Sequence, residues 1–149
     1  MELYLVRHGN RGHGEEIDTL TEVGLEQAKR TAEYFRKLKI DKIISGDSRR
    51  TRLTTEEIVK SQQCKLEYTP LVNEQSMGIF EGKASKEYEL ALKESRLKPS
   101  DFRPENGENL EDAYNRTKLF LQNLKKEDSK NILVVSHSGF IAHLITLLL

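Results

Sequence analysis

At 149 residues, with 24 basic and 24 acidic side chains and zero formal net charge, the chain has the length of one domain and no global field to draw nucleic acid or an anionic membrane. Apolar residues make up 36% and charged residues 32%, which describes a modest core under a heavily charged surface and excludes a disordered chain. The single cysteine, Cys64, excludes an internal disulfide framework and a Cys-x-x-Cys zinc site, and the first residues lack the shape of a signal peptide, so a reducing cytoplasmic setting is expected.

Residues 3–6 are a short apolar run ending in Arg7, His8 and Gly9, and read as a strand buried on both faces. A glycine-rich polar loop covers residues 9–18. Thr21 then caps a helix with Leu25, Ala28, Ala32, Phe35 and Leu38 on one face. Residues 42–45 form a second strand, and the turn at Gly46, Asp47 and Ser48 opens a helix to about Ser61. Residues 66–69 read as a third strand, stopped by Pro70. Gly78 and Gly82 mark loop, residues 85–96 suit a helix, and Pro99 and Pro104 break the chain. Residues 109–125 are helical, with Leu110, Ala113, Tyr114, Thr117, Leu121 and Leu124 on one face. Residues 132–136 are the strongest strand, followed by an apolar helix over 139–149. That helix is about half a membrane span long and is expected to be buried. Strands alternating with helices predict a three-layer α/β/α sandwich around a mostly parallel sheet, with residues 1–149 as a single domain.

Open α/β sheets bind ligands beyond the carboxyl ends of their strands. Those ends deliver Arg7 and His8, then Ser45 with Arg49 and Arg50, then His137 and Ser138. Two histidines and several arginines therefore meet at one edge, beside helix N-termini that favour phosphate. Imidazole is a good nucleophile toward phosphorus, and arginine offers a bidentate fork to phosphoryl oxygens. The leaving oxygen needs a proton, and Glu74, Glu81 and the pair Glu15 and Glu16 are the loop carboxyls within reach of that role. Ser136 and Ser138 flank His137, but no G-x-S-x-G elbow exists for a serine hydrolase. Zinc held by His8, His13 and His137 would lack any H-E-x-x-H or cysteine pairing. His13 is expected to face solvent, and His143 to be structural.

The run Leu5-Val6-Arg7-His8-Gly9 resembles the signature of the histidine phosphatase superfamily, the phosphoglycerate mutase-like proteins. Five further segments, in the family's order, resemble its other motifs: residues 20–28, residues 44–56, residues 71–82 with Glu74, residues 104–110, and residues 134–137. The resemblance implies the phosphoglycerate mutase-like fold and a phosphoric monoester hydrolase of the histidine acid phosphatase type. In it His8 is the nucleophile, Arg7, Arg50 and His137 hold the phosphoryl group, and Glu74 is the proton donor. It implies no metal and no cofactor. The substrate would be a phosphorylated small molecule or a phosphoprotein, with no nucleic acid or membrane partner and a monomer or homodimer as the assembly. Asn10, Arg11 and Gly14 stand where the family carries Glu-Thr or Glu-Ser and then an asparagine that contacts phosphate. Asn10 and Arg11 are the candidates to replace it, and Ser138 stands where glycine is common. The family often adds a strand after the second-histidine helix, so a compact variant and a shortened chain are both expectations. A bisphosphoglycerate-dependent mutase is the alternative outcome of the same site. A catalytically silent phosphate-binding or interaction module is the alternative from another class.

Overall fold

Alternating side chains on three neighbouring strands build two cores, one on each face of a sheet. The computed structural model describes residues 1–83 and 85–149, with Glu15 described by its backbone alone. Strands β1 (Glu2–Arg7), β2 (Lys42–Ser45), β3 (Lys65–Tyr68) and β4 (Asn131–Ser136) pair in the order β1-β4-β2-β3, every pair parallel. On one face Leu3, Leu5, Ile44, Ile132 and Val134 pack against Phe120 and Leu124 of helix α4 (Leu110–Leu124) and Phe140 and Leu144 of helix α5 (Ser138–Leu148). On the other, Tyr4, Val6, Ile43, Leu133 and Val135 pack against Ala32 and Phe35 of α1 (Glu22–Phe35) and Ile58 of α2 (Arg49–Val59). This is the expected three-layer arrangement. Ile132, Leu133, Val134 and Val135 are fully buried, each worth about 1.5–3 kcal/mol in area removed from water.

Local chemistry sets the helix starts. Thr21 Oγ1 accepts the Gly24 N–H (3.1 Å) at the start of α1. Asn109 and Asp112 exchange hydrogen bonds in a capping box at the start of α4.

Several expectations are corrected. Strand β1 is not buried on both faces: it lies at the edge of the sheet, paired among the described strands only with β4, and Leu3 to Val6 are half-buried. Strand β3 begins at Lys65, whose register partner is Lys42, one residue earlier than the apolar pattern suggests. Helix α1 ends at Phe35, and Leu38 packs against the core from the turn beyond it. Leu110, the first residue of α4, is exposed rather than on the buried face. Helix α5 buries one face only, through Phe140 and Leu144, and leaves Ile145 and Leu148 exposed. The helix expected over 85–96 is α3 (Ser85–Ser95), which has no buried residue among those described. Among the described residues no helix is long and apolar enough to cross a membrane.

The layering also places the ligand crevice. Strands β1 and β4 are neighbours, yet α1 follows β1 onto one face and α5 follows β4 onto the other. Chains that part in this way leave an opening at the carboxyl ends of their strands.

Candidate active site

Arg7 and Ser136 are register partners at the ends of β1 and β4, so His8 and His137 emerge side by side. The His8 N–H donates to the Ser136 carbonyl (3.0 Å), and the two rings lie 5.0 Å apart, edge to face. Gly9 follows because the chain must press against helix α1: a Cβ there would run into the Gly24 carbonyl oxygen. The Gly9 N–H is taken by Thr54 Oγ1 of α2 (3.1 Å), which ties the turn after β1 to a second helix.

The environment favours the neutral form of both imidazoles. His8 is 9% exposed, and burial holds its pKa below the usual histidine value. The Gly9 carbonyl works against that by accepting a bond from Nδ1, while Arg50, Arg7 and Arg11 add to it. A carbonyl only accepts, so Nδ1 carries the proton (2.7 Å to the Gly9 oxygen) and Nε2 keeps its lone pair. His137 is 1% exposed, and burial, then Arg50, His8, Arg116 and Arg7, push its pKa down to about 3. Its Nδ1 accepts from Arg50 Nη2 (3.2 Å), which places the proton on Nε2, facing Ser48 Oγ at 3.4 Å.

Arg50 projects from the first turn of α2. Its Nη1 donates to Asp18 Oδ1 (2.8 Å), its Nη2 reaches His137, and its Nε is buried with no acceptor among the described residues. Asp18 uses its second oxygen to cap the Arg49 N–H (3.0 Å), so one loop carboxylate fixes both the helix start and the arginine. Glu74 comes from the loop after β3 and meets the N-terminus of α5. Its Oε2 accepts the Gly139 N–H at 3.1 Å and lies 3.5 Å from Ser138 Oγ, while its Oε1 accepts the Gln75 N–H at 3.2 Å.

That approach requires glycine at 139, because a Cβ there would fall on Glu74 Oε1. In Gly139→Ala, alanine is the better helix former and the carboxylate end of Glu74 can swing aside, so the thermal midpoint should hold. The displaced carboxylate should nonetheless cut kcat/KM for a phosphomonoester by roughly tenfold or more. Parallel melting curves and steady-state kinetics check this; unchanged activity would mean the position of Glu74 is immaterial.

These groups border an open cavity of about 1100 Å³. Arg7, His8, Arg11, Arg50, Glu74, His137 and Ser138 all line it. Arg11 Nη1 is buried with no partner among the described residues. Asn10 does not line it: its Oδ1 accepts from Thr21 Oγ1 (2.9 Å) and its N–H donates to Gln27 Oε1 (2.7 Å), so it is spent on the start of α1. Of the other carboxyls, Glu81 lines the cavity but accepts the Met77 N–H (2.7 Å), Glu16 is exposed, and the side chain of Glu15 lies outside the described residues. His13 is exposed, as expected, and His143 packs edge-on against Tyr114. Among the described residues no group of three or more His, Cys, Asp or Glu side chains is placed to hold a metal ion.

Asp18, Ser48 and the pair Glu108 and Arg116 also line the cavity and were not anticipated from the sequence. Asp18 stands alone in a polar loop, and nothing in its neighbourhood advertises a partner 32 residues away.

Residues 3–149 match the histidine phosphatase superfamily (branch 1). An adenosylcobalamin/alpha-ribazole phosphatase from Salmonella typhimurium is 29% identical over 161 residues, covering 100% of this chain and 80% of its own length. A protein named "Probable phosphoglycerate mutase GpmB" from Proteus mirabilis is 31% identical over 149 residues, covering 92% of this chain and 69% of its own length. The crystal structure of the alpha-ribazole phosphatase from Shigella flexneri superposes with a TM-score of 0.88 at 26% identity, over 99% of this chain and 79% of that one.

Proposed function

The chain belongs to the histidine phosphatase superfamily, and from that premise we propose that it hydrolyses phosphomonoesters, without a metal ion, through a phosphohistidine on His8. The observation that carries this reading is the placement of His8: its Nδ1 lies 2.7 Å from the Gly9 carbonyl, which fixes the ring proton there and leaves Nε2 for a nucleophile's work, while burial lowers the pKa and favours the neutral ring.

In the first step Nε2 attacks phosphorus, the P–O ester bond breaks, and the carboxylic acid of Glu74 gives its proton to the departing oxygen. In the second, the Glu74 carboxylate takes a proton from water, hydroxide attacks the phosphohistidine, and inorganic phosphate leaves with His8 restored. Arg7, Arg50 and His137 hold the phosphoryl oxygens, and positioning with charge stabilisation supplies most of the catalysis. Among the described residues the Arg50 Nε–H and the Arg11 Nη1–H have no acceptor, and a bound phosphoryl group would offer one to each. Arg11 therefore takes the place of the family's loop asparagine, while Asn10 is a structural residue. The substrate is a phosphorylated small molecule, as befits relatives named as phosphatases of small phosphate esters.

The test is hydrolysis of p-nitrophenyl phosphate in excess EDTA, with rapid quenching to trap the enzyme. Turnover should persist, and phosphate should appear on His8 in acid-labile, base-stable form. Absence of that phosphate from an active enzyme overturns the reading. Relatives named as phosphoglycerate mutases support a second reading in which the phosphoryl group returns to a bound phosphoglycerate. Preference of the trapped phosphoenzyme for a monophosphoglycerate over water would establish it instead.

A further inference from the structure

Glu74 sits in a segment with no secondary-structure ladder of its own. A single 3₁₀ turn (Pro70–Val72) precedes it and irregular chain follows. Such a segment holds a carboxyl in place only if its carbonyls and N–H groups are bonded from outside. One side chain does most of this. Arg116, from the second turn of α4, donates from Nη1 to the carbonyls of Leu71 and Asn73 (both 3.0 Å) and Pro70 (3.3 Å), and from Nη2 to the carbonyl of Glu74 itself (3.2 Å). Its Nε and Nη2 also grip Glu108 Oε1 and Oε2, each at 2.8 Å.

Glu108 completes the brace. Its Oε2 accepts the Ser76 N–H (3.0 Å), its N–H donates to the Ser76 carbonyl (2.9 Å), and its carbonyl accepts from Gln75 Nε2 (2.9 Å). Burial opposes its charge, but the Arg116 fork and the Ser76 N–H outweigh that and hold its carboxyl below the usual glutamate value. Residues 70–76 are thus bonded on both sides of Glu74 by one ion pair whose side chains are only 16% and 22% exposed. Arg116 borders the cavity, yet all its donor nitrogens are already committed within the chain, so no donor is left for a substrate.

From this geometry we infer that Arg116, braced by Glu108, is a positioning residue for the proton donor: it sets where the Glu74 carboxyl meets the leaving oxygen. The inference rests on the assignment of Glu74 as that donor. Lysine would keep the charge but not the planar fork, so the role belongs to arginine's shape.

The test compares kcat/KM for p-nitrophenyl phosphate, whose leaving group departs readily as the anion, with that for phenyl phosphate, whose leaving group needs the proton. This ratio reads the first chemical step and separates lost proton donation from general damage. Glu74→Gln is the benchmark and should lose roughly 100-fold on phenyl phosphate and far less on p-nitrophenyl phosphate. Arg116→Gln and Arg116→Lys should show the same bias, losing roughly tenfold or more on phenyl phosphate with KM little changed. Glu108→Gln, which leaves Arg116 in place, should follow in the same direction and serves if the Arg116 variants do not fold. A biased Glu74→Gln with uniform or absent loss in the Arg116 and Glu108 variants overturns the positioning role alone. No bias even in Glu74→Gln overturns the donor assignment and the positioning role with it.

Discussion

His8→Ala should lose roughly 10⁴-fold or more in turnover, the scale on which removal of a covalent nucleophile costs an enzyme. The variant should still fold, because the His8 backbone N–H continues to reach the Ser136 carbonyl and Gly9 still packs on Gly24. Loss of activity with an unchanged melting curve would therefore report chemistry. On the proposed mechanism the same side chain should set the acid limb of kcat/KM in the natural protein. Only neutral imidazole attacks phosphorus, and burial keeps the His8 pKa below 6.5. The midpoint of the acid limb, where His8 takes up a proton, should therefore lie below that of an ordinary histidine. His137, with its pKa near 3, stays neutral over that descent and does not contribute to the upper part of the limb. An acid midpoint at or above pH 6.5, or turnover that survives His8→Ala, would assign the nucleophile elsewhere.

How much of this was readable from the chain depends on how far apart the interacting residues lie. The end of β4 was readable because an uninterrupted apolar run halts at Ser136 and His137, and a buried parallel strand has that form. The starts of α1 and α4 were readable because a cap and its helix are neighbours in sequence. The edge position of β1 was not. Its four apolar residues look the same in the centre of a sheet, and the strand it pairs with begins far away in sequence, at Asn131. The arginines and histidines followed from one rule about strand ends, but their fixings did not. Asp18 meets Arg50 across 32 residues, and Arg116 reaches the Glu74 carbonyl across 42. No periodicity joins such pairs, and bonds to main-chain carbonyls leave no mark on residue type at the accepting end. Asn10 shows the converse. Its side chain was chemically suited to phosphate, but its position three-dimensionally next to Thr21 gave it to the helix cap instead.

Adjacent arginines at the start of α2 give the sharpest test of register. Arg50→Ala should lower kcat by roughly a hundredfold or more, as loss of a donor aimed at a developing oxyanion does. Arg49→Ala should change it by no more than about threefold, in line with an ordinary surface substitution. The structure separates the two by direction. The Arg50 side chain is 17% exposed, reaches Asp18 and His137, and has a buried Nε–H with no acceptor among the described residues. Arg49 is exposed, and its bond to Asp18 comes from the backbone N–H, which alanine retains. Losing Arg50 frees an Asp18 that is already 50% exposed, so the stability cost should be small and the kinetic loss interpretable. Arg50→Lys should recover little, because a single ammonium does not reach Asp18, His137 and a phosphoryl oxygen together. The loss should fall on kcat more than KM, since the donors serve charge that grows in the transition state. If Arg49→Ala proved the damaging change, the segment from Ser48 to Thr55 would be misread by one residue, and the phosphoryl group would lie on the outer side of α2.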